Sequence, residues 1–418
     1  MPQKTRVRFP PSPTGEPHVG NIRTAIFNWL LAKKTGGVFV IRIEDTDLAR
    51  KVDGAVESIL QTLKWLGIGW DEGPEVGGEN EPYFKSQRLS LYDQAANDLL
   101  ANGHAYYCYC SSERLSKLRK SQSERKVQLG YDGYCKKLTS NDVARLKRED
   151  SQPVVRFSMP SHGTTSIVDL IRGKVTFENQ LLDDFVILKS DGFPTYHLAN
   201  VVDDNAMHIS HVLRAEEWLP STPRHVLIYQ ALGLEPPQFA HLPIILAPDK
   251  SKLSKRHGAT SALDYREQGF LPEAMVNFLT LLGWSLDDKT EIFSVEELIA
   301  NFSLDRVSKS GAVFDIDKLT WLNGHYIRNK TCEELADLLI EYWSSYPPYE
   351  IPELPNKHYL TQIVPLIQER LKTLSDAAPL TRFFFNTATT YSPAELIQKG
   401  MDSGSTLNAL ECSLIELQ

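Results

Sequence analysis

The chain has 418 residues and carries 45 lysines and arginines against 53 aspartates and glutamates, so its formal net charge is −8. This charge excludes a polycationic nucleic-acid coat, and any contact with RNA must come from local basic patches. No run of about 18 apolar residues predicts a membrane span, and the polar N-terminus lacks a secretory signal's apolar segment. The length predicts about two to four domains. The five unevenly spaced cysteines favour a reducing cytoplasm.

The first predicted unit is strand, loop, helix, strand. Residues 7–9 alternate as in a strand, and apolar residues then recur at helical spacing over 22–30. The glycine pair 36–37 ends that helix, and the apolar run 38–41 predicts a strand covered on both faces. This βαβ unit predicts an α/β fold that binds a ligand at the loop after its first strand.

That loop, residues 8–21, is rich in proline and glycine. Its prolines stiffen the backbone, and Gly20 lets a ligand approach the start of the helix. His18 offers a donor beside the free N–H groups of the helix N-terminus, which favour a phosphate. The loop contains neither GxxxxGK[ST] nor GxGxxG, so it is neither a P-loop nor a dinucleotide site. Taken alone, His18 is equally compatible with a structural role.

Acidic residues follow the second strand, within residues 41–47. Ligands of α/β sheets bind at the carboxyl ends of the strands, so Glu44 is a candidate for holding an ammonium group. Asp47 fits better as the cap of a helix near Ala49.

Residues 111–137 form a helical segment with eight lysines and arginines against three acidic residues, a net charge of +5. Such a cluster suits phosphate contacts, because bound cations release counterions from nucleic acid. A solvated helix face would have the same pattern, so both interpretations stay open.

Three cysteines, Cys108, Cys110 and Cys135, are spaced as a zinc site could be. A structural zinc site has four ligands, and here Tyr131 or Tyr134 would have to supply the fourth. We therefore expect reduced cysteines rather than bound zinc.

The stretch 191–218 holds further candidates. After a turn at 192–194, residues 196–204 are predicted to return the chain to the sheet, and residues 212–218 to form a strand that runs into a loop. Arg214 lies in this apolar stretch, where a buried cation must find an anion or water.

Residues 252–256, Lys-Leu-Ser-Lys-Arg, would alone be typical of a solvated turn. Together with the His18 loop, however, they resemble the paired "HIGH" and "KMSKS" signatures of class I aminoacyl-tRNA synthetases. The Ser-Pro-Thr-Gly sequence of the first loop and the 191–218 stretch are similar to glutamyl-tRNA synthetases. The resemblance runs from about Thr5 to near the C-terminus.

This resemblance implies a Rossmann-type parallel-sheet catalytic domain with an α+β insertion, followed by a mainly α-helical anticodon-binding region. The implied domains are the first half of the catalytic domain (1–100), an insertion that binds the tRNA acceptor end (101–190), the second catalytic half (191–262), a stem-contact domain (263–328) and an anticodon-binding region (329–418).

The resemblance also implies residue roles. His18, Lys252 and Lys255 would be catalytic, with ATP and Mg²⁺ as the cofactors. The residues implied for ATP are His18, Gly20, Asn21, Lys252, Ser254, Lys255 and Arg256. Those implied for glutamate are Arg8, Ser12, Glu44, Tyr196, Asn200 and Arg214, with Ser12 and Glu44 at its α-amino end. Some members bind zinc at the three cysteine positions with a fourth ligand two residues later; here that residue is Lys137, a poor ligand.

The C-terminal part predicts helices over 272–282, 293–304, 333–343 and 360–374. Arg370 matches a position where the family can contact an anticodon base, and a solvated helix residue is the alternative. The helical pattern over 406–417 stops without a cap, and family members usually continue, so we expect a truncated last subdomain.

Together these residues predict ATP-dependent attachment of L-glutamate to tRNA-Glu through a glutamyl-adenylate, by a cytoplasmic monomer without a membrane partner. Glutaminyl-tRNA synthetase is disfavoured because an amide gives Arg214 no charge to neutralise. A tRNA-modifying paralogue is disfavoured by the helices after residue 330, and an inactive RNA-binding relative by His18, Lys252 and Lys255. Whether tRNA-Gln is also charged stays open.

Overall fold

The computed structural model describes residues 4–47, 50, 52–148, 152–254, 256, 260–351, 353–385 and 392–417. The chain divides into two compact units, Met1–Leu322 and Asn323–Gln418. The first unit is α/β, and the described elements of the second are helical. This confirms the predicted fold class, while the finer division into five domains stays a prediction.

The strands are β1 (Arg6–Phe9), β2 (Val38–Ile41), β3 (Ala105–Cys108), β4 (Val154–Phe157), β5 (Thr164–Asp169), β6 (Gly173–Glu178), β7 (Val186–Leu188), β8 (His211–Ala215), β9 (Gln238–Leu242), β10 (Ile245–Leu246) and β11 (Ala312–Val313). The helices are α1 (Val19–Thr35), α2 (Ala55–Trp65), α3 (Leu89–Ala101), α4 (Ser112–Glu124), α5 (Ser140–Arg148), α6 (Tyr196–Ala206), α7 (Thr222–Ala231), α8 (Ala262–Glu267), α9 (Pro272–Leu281), α10 (Val295–Asn301), α11 (Ile316–Arg328), α12 (Cys332–Ser345), α13 (Lys357–Ile367), α14 (Ala377–Phe385) and α15 (Ser403–Leu417). In the part of the chain that is described, none of them combines the length and apolar character needed to cross a bilayer.

Parallel strand pairs form the floor of the site. β1 pairs with β2, and β8 pairs with β9, both in parallel. The backbone N–H of Ser210 donates to the carbonyl of Arg6 at 3.0 Å, so the two pairs lie side by side at the starts of β1 and β8. The carboxyl ends of β1, β2 and β8 therefore share one edge, which is the ligand-binding edge of such sheets.

Helix α1 follows the loop after β1, as predicted. His18 caps it, because its Nδ1 accepts a hydrogen bond from the backbone N–H of Gly20 at 3.0 Å. The helix ends at Gly36, whose φ of 60° is accessible to glycine without strain. Eleven of its 17 residues are buried, so α1 is packed on most of its circumference rather than along one stripe.

Residues 196–204 do not return to the sheet, and that prediction is wrong. They form helix α6, which starts at Tyr196 and runs to Ala206. Four of the five residues from Leu198 to Val202 are apolar, which does not distinguish a strand from a helix, whereas the polar residues of the segment recur at helical spacing. The helix brings Tyr196, Asn200 and Asp204 to one face, directed at the buried end of the site.

Two predicted helices are shorter than expected. The pattern over 293–304 forms only α10, because Ser294 caps its start in a capping box with Glu297 and a 3₁₀ turn begins at Leu304. The pattern over 360–374 breaks after Ile367, where a 3₁₀ turn takes over. Hydrophobic spacing continues through both breaks, which is why the sequence pattern overran them.

Candidate active site

The His18 loop lies beside the segment that follows the lysine-rich loop. Backbone pairing joins His18 to Ser261, and the N–H of Val19 donates to the carbonyl of Thr260 at 2.8 Å. The start of α1 and the segment that follows the lysine-rich loop therefore form one surface. Lys255 and residues 257–259 lie outside the described residues, and so does the part of the predicted site that depends on them.

Lys252, in the lysine-rich loop, lies at the surface. Its Nζ contacts Glu217 Oε1 at 2.6 Å, and both side chains are about half exposed to solvent. Arg256 donates to Ser251 Oγ at 3.1 Å within the same loop, and Ser254 lies between them, half-buried. Lys252 is thus held by a carboxylate that a negatively charged ligand would have to replace.

The glycine at the start of α1 lies close to the His18 ring. A methyl group added at Gly20 would lie 3.2 Å from Nδ1 of His18, so the ring would have to shift by a few tenths of an ångström. Asn21, the next residue, is exposed, as is Ser12 in the preceding loop. Both face solvent at the predicted ligand edge.

Arg8 points into the protein and is 1% exposed. Its Nε donates to Asp204 Oδ1 at 3.1 Å, and its Nη2 donates to Asn200 Oδ1 at 3.3 Å. Asp204 also accepts from Nη1 of Arg42 at 2.8 Å, so one carboxylate joins two arginines. The predicted ligand residues Arg8 and Asn200 are in direct contact.

Opposite charges compensate one another in this cluster. Burial alone would lower the pKa of Arg42, but the carboxylates of Asp204, Asp203 and Glu44 outweigh it and raise that pKa. Burial likewise acts to raise the pKa of Asp204, and the guanidinium groups of Arg8 and Arg42 reverse the direction and lower it. Arg42 and Asp204 are therefore both charged in the folded protein.

Glu44 is already paired within the protein. Its Oε1 lies 2.6 Å from Nζ of Lys85 and 3.5 Å from Nη2 of Arg42. Lys85 is 1% exposed, and its Nζ lies 5.5 Å from the centre of the Tyr196 ring. A substrate ammonium group at Glu44 would therefore share this carboxylate with Lys85.

Arg214, in β8, is the other buried cation of the pocket and is 5% exposed. A guanidinium has five N–H groups, and here each of them donates: Nε to His241 Nε2 (3.1 Å), Nη1 to Tyr196 Oη (3.2 Å) and His225 Nδ1 (3.1 Å), and Nη2 to Thr222 Oγ1 (2.8 Å) and the Trp218 carbonyl (3.4 Å). None of these acceptors is a carboxylate, in contrast to the partners of Arg8.

The electrostatics around Arg214 follow from burial. Burial lowers its pKa, and no direct ion pair opposes the shift among the described residues. Burial also lowers the pKa of His225 well below its ordinary value, and the charge of Arg214 adds to that effect. The neighbouring imidazoles are consequently neutral, and the positive charge of Arg214 is not neutralised by the residues that touch it.

Several residues of this site were missed at the sequence level. Asp203 and Asp204 end the segment 196–204, which was predicted to return the chain to the sheet. Lys85 was not considered. His225, His241 and Asp169 surround Arg214 from α7, β9 and β5. The helical spacing from Asn200 to Asp204 could have indicated the first pair, whereas no local pattern identifies the others.

Comparison with known proteins identifies the family. Residues 4–321 match the family model of tRNA synthetases class I (E and Q), catalytic domain, and residues 334–418 match an anticodon binding domain. The glutamate–tRNA ligase of Dehalococcoides mccartyi (strain 195) is 55% identical over 418 residues, which cover all of this chain and 85% of that protein. The chain belongs to the class I glutamate–tRNA ligase family. The ligase of Moorella thermoacetica is 49% identical over 391 residues, 93% of this chain and 79% of that one.

The ligase fold agrees with this assignment. The crystal structure of a glutamate tRNA ligase from Elizabethkingia meningosepticum, in complex with its amino acid, aligns with a TM-score of 0.86 at 37% identity. The alignment covers 95% of this chain and 84% of that one. The resemblance predicted from the two signatures is confirmed.

Three cysteines of this ligase lie close together. The sulfur atoms of Cys108, Cys110 and Cys135 lie within 4.8 Å of one another, and those of Cys110 and Cys135 are 3.5 Å apart. The hydroxyl of Tyr131 lies 3.5 Å from Cys108 Sγ and 3.4 Å from Cys110 Sγ. Tyr134 instead is 52% exposed and packs against Arg114. Of the two tyrosines considered as a fourth ligand, Tyr131 lies beside the sulfur atoms and Tyr134 does not.

Two predicted RNA-contacting features of the ligase are at the surface. Helix α4, in the basic segment, has no buried residue, and Arg370 is exposed in the 3₁₀ turn after α13. Both are accessible to a large polyanion. Neither geometry distinguishes an RNA contact from a solvated side chain, so both assignments stay predictions.

Proposed function

We propose that this chain uses ATP to activate L-glutamate as a glutamyl-adenylate and then transfers the glutamyl group to tRNA-Glu. Activation would take place in the pocket bounded by β1, α6 and β8, and the enzyme would act as a cytoplasmic monomer. The observation that supports this most directly is the environment of Arg214. A buried cation whose neighbours are neutral favours an anionic ligand, because an isolated charge in a protein interior is costly. The glutamate–tRNA ligase family supplies the reaction.

The charge balance of the pocket supports the same ligand. Among the described residues, Arg8, Arg42, Lys85 and Arg88 share three carboxylates, those of Glu44, Asp203 and Asp204. Arg214 adds a fifth buried cation without adding a carboxylate. An excess of positive charge suits the two carboxylates of glutamate better than the single carboxylate of glutamine.

The γ-carboxylate of glutamate would bind between Arg214, Tyr196 and Arg8, with Asn200 as a further donor. The Tyr196 hydroxyl supports this role, because it accepts from Arg214 and keeps its own proton to donate to a carboxylate oxygen. Glu44 and Ser12 would meet the α-amino end. An amide ligand would leave the positive charge of Arg214 uncompensated, so discrimination against glutamine should be strong.

ATP would bind across the two signatures. His18, Gly20 and Asn21 surround the start of α1, whose N–H groups favour a phosphate. Lys252, Ser254, Lys255 and Arg256 would meet the phosphates from the other side, and Mg²⁺, when bound, would neutralise part of their charge. Lys252 would then exchange its contact with Glu217 for the pyrophosphate.

The two chemical steps need little covalent participation by the protein. The α-carboxylate of glutamate attacks the α-phosphate, forming a C–O–P bond as pyrophosphate leaves. A hydroxyl of the terminal adenosine of tRNA then attacks the glutamyl carbonyl, and AMP leaves. Rate enhancement would come from alignment of the reactants and from cations placed where negative charge develops.

The test is pyrophosphate exchange with purified protein, in the presence of tRNA-Glu, with glutamate or glutamine as the amino acid. We expect exchange with glutamate and little with glutamine. Exchange with glutamine alone would indicate a glutaminyl enzyme, and none with either would refute the proposal. Charging of tRNA-Glu and tRNA-Gln in parallel reactions shows whether one or both are substrates, and light scattering tests the monomer.

Lys255 carries the least structural support, so it is tested separately. We expect Lys255→Ala to lower the rate of activation much more than it weakens glutamate binding, since its proposed partner is the leaving pyrophosphate. The opposite pattern would remove its assigned role.

A second proposal concerns the cysteine cluster, for which we expected no zinc from the sequence. Zinc bonds to sulfur at about 2.3 Å in a tetrahedron, which requires sulfur atoms about 3.8 Å apart. The observed spacing and the Tyr131 hydroxyl suit such a site. We expect about one zinc per chain by elemental analysis, lost in Cys110→Ser and weakened in Tyr131→Phe. A metal-free wild-type protein prepared without chelator would contradict this.

A further inference from the structure

The hydrogen bonds of Arg214 fix the protonation of two histidines. A guanidinium only donates, so the ring nitrogens that face it, Nε2 of His241 and Nδ1 of His225, must both be acceptors. Each of these imidazoles therefore carries its single proton on the other nitrogen. His241 is thus protonated on Nδ1 and His225 on Nε2, and both rings accept a hydrogen bond from Arg214.

The outer nitrogens confirm this assignment. Nδ1 of His241 lies 2.6 Å from Oδ2 of Asp169, so its N–H donates to that carboxylate. Nε2 of His225 lies 3.1 Å from Nδ1 of His197 and donates to it. Arg214 therefore donates to both rings, and each ring donates its own N–H onward, His241 to Asp169 and His225 to His197.

Asp169 is itself firmly held. It is 2% exposed, and its carboxylate accepts from the backbone N–H groups of Ile171, Arg172 and His241 in addition to the His241 ring. Burial alone would raise its pKa, but these hydrogen bonds lower it. A charged Asp169 accepts only, and this forces His241 to present its lone pair to Arg214.

We propose that Asp169 and His241 are positioning residues for glutamate selection. Asp169 selects the His241 tautomer, and that tautomer orients the Arg214 guanidinium toward the γ-carboxylate. The inference rests on the proposed function, because it explains how the glutamate pocket keeps an arginine oriented without neutralising its charge. A carboxylate in direct contact with Arg214 would orient it too, but it would compete with the substrate.

Asp169→Asn separates this role from simple packing. The amide group of Asn can present an N–H to Nδ1 of His241, which would move the ring proton to Nε2. The N–H groups of His241 Nε2 and Arg214 Nε would then face each other, and neither would have an acceptor. One unsatisfied buried donor costs roughly 1–3 kcal/mol, so we expect the KM for glutamate to rise about 10- to 100-fold. The turnover number and the KM for ATP should change much less.

The variant His241→Gln tests whether Asp169 acts through the His241 ring. The Gln amide oxygen can occupy the position of Nε2 and accept from Arg214, and Gln has no tautomer to invert. We expect its KM for glutamate to stay within about fivefold of the wild-type value, since a comparable hydrogen bond is kept. The double variant should resemble His241→Gln rather than combine the two effects, because Asp169 acts through His241.

Asp287→Asn is the matched control, since exposed Asp287 also accepts two backbone N–H groups and a threonine hydroxyl. If Asp169→Asn behaves like this control, or if its effect persists undiminished in the double variant, the inference is wrong. If Asp169→Asn does not fold, His241→Leu compared with His241→Gln carries the test: equal KM values would overturn it. An inactive wild type, by contrast, would refute the proposed function.

Discussion

Two arginines of one pocket lie in opposite electrostatic environments. Arg8 contacts the carboxylate of Asp204, which it shares with Arg42. Arg214 contacts two neutral imidazoles, two hydroxyl groups and a backbone carbonyl. Both guanidinium groups are almost fully buried, so the difference lies in their partners and not in their exposure.

The difference indicates a division of labour. Charges around Arg8 compensate within the protein and would hold β1, β2 and α6 together whether or not a ligand is bound. No carboxylate among the described residues contacts Arg214. An anion that binds there would offset the free-energy cost of burying its charge. Removing a charge should therefore damage folding at the first site and glutamate use at the second.

The largest effect is expected from Asp204→Asn. This change leaves Arg8 and Arg42 buried with a neutral partner, and breaking a buried ion pair costs about 3–5 kcal/mol. The free energy of unfolding of the first unit, measured by urea denaturation at pH 7, should fall by that amount. An unchanged free energy would show that the acidic cluster does not serve as a scaffold.

Arg214→Gln should show the reverse pattern. We expect kcat/KM for glutamate to fall by at least about 100-fold, equivalent to about 2.7 kcal/mol. The free energy of unfolding should fall less than in Asp204→Asn, because the loss of hydrogen bonds to neutral acceptors is partly offset by removal of a buried cation that has no ion pair. Kinetic assays and urea denaturation on the same preparation test both parts. A large loss of stability would mean that Arg214 is structural after all.

The sequence predicted the parts of this pocket that depend on local pattern. The βαβ unit, the helix that starts after His18 and the ligand edge of the sheet follow from periodicity and turn chemistry over some 40 residues, which is the range at which such signals act. The cap that His18 forms was not predicted. Arg214 was identified because an arginine in an apolar strand requires an explanation wherever it lies.

The partners could not be predicted in the same way. Asp169 lies 45 residues before Arg214 and His241 lies 27 residues after it, and they meet only because β5, β8 and β9 share a sheet. The α6 error has a related cause: its apolar residues face the protein interior on several sides, so hydrophobicity alone did not distinguish helix from strand. Lys85 reaches Glu44 through tertiary packing alone.

The next prediction concerns pH. Burial lowers the pKa of His197 to about 4, and the charges of Arg224 and Arg214 act in the same direction, while Asp183 opposes them and His225 contacts its ring. Because the unfolded chain binds a proton near the ordinary value of 6.5, this contribution to stability is present above that pH and is lost as the pH falls toward 4.

We therefore expect the first unit to lose about 2 kcal/mol of stability between pH 7 and pH 5 through this histidine. His197→Asn keeps an acceptor for His225 but cannot titrate, so its urea-derived stability should depend less steeply on pH by the same amount. The Arg8 side offers the contrast, because the pKa of its partner Asp204 is lowered by Arg8 and Arg42 and lies below this interval. Equal slopes for wild type and variant would contradict the prediction.

The smallest effect is expected for an ion pair at the surface. Lys252 and Glu217 form an ion pair, as Arg8 and Asp204 do, but both partners are about half exposed. Exposed pairs contribute less than about 1 kcal/mol, so Glu217→Gln should leave stability unchanged and lower the KM for ATP by less than about fivefold, because Lys252 no longer has to leave a carboxylate.

Salt distinguishes this pair from the buried ones. The gain in Glu217→Gln should vanish as ionic strength rises toward about 1 M, where charges are screened beyond roughly 3 Å, whereas the Arg214→Gln defect should persist. Glu296→Gln, an exposed acid in α10, is the control and should leave the KM for ATP unchanged. A gain that survives high salt would mean that Glu217 acts on ATP by some route other than its charge. The division between buried and exposed ion pairs would then not explain this site.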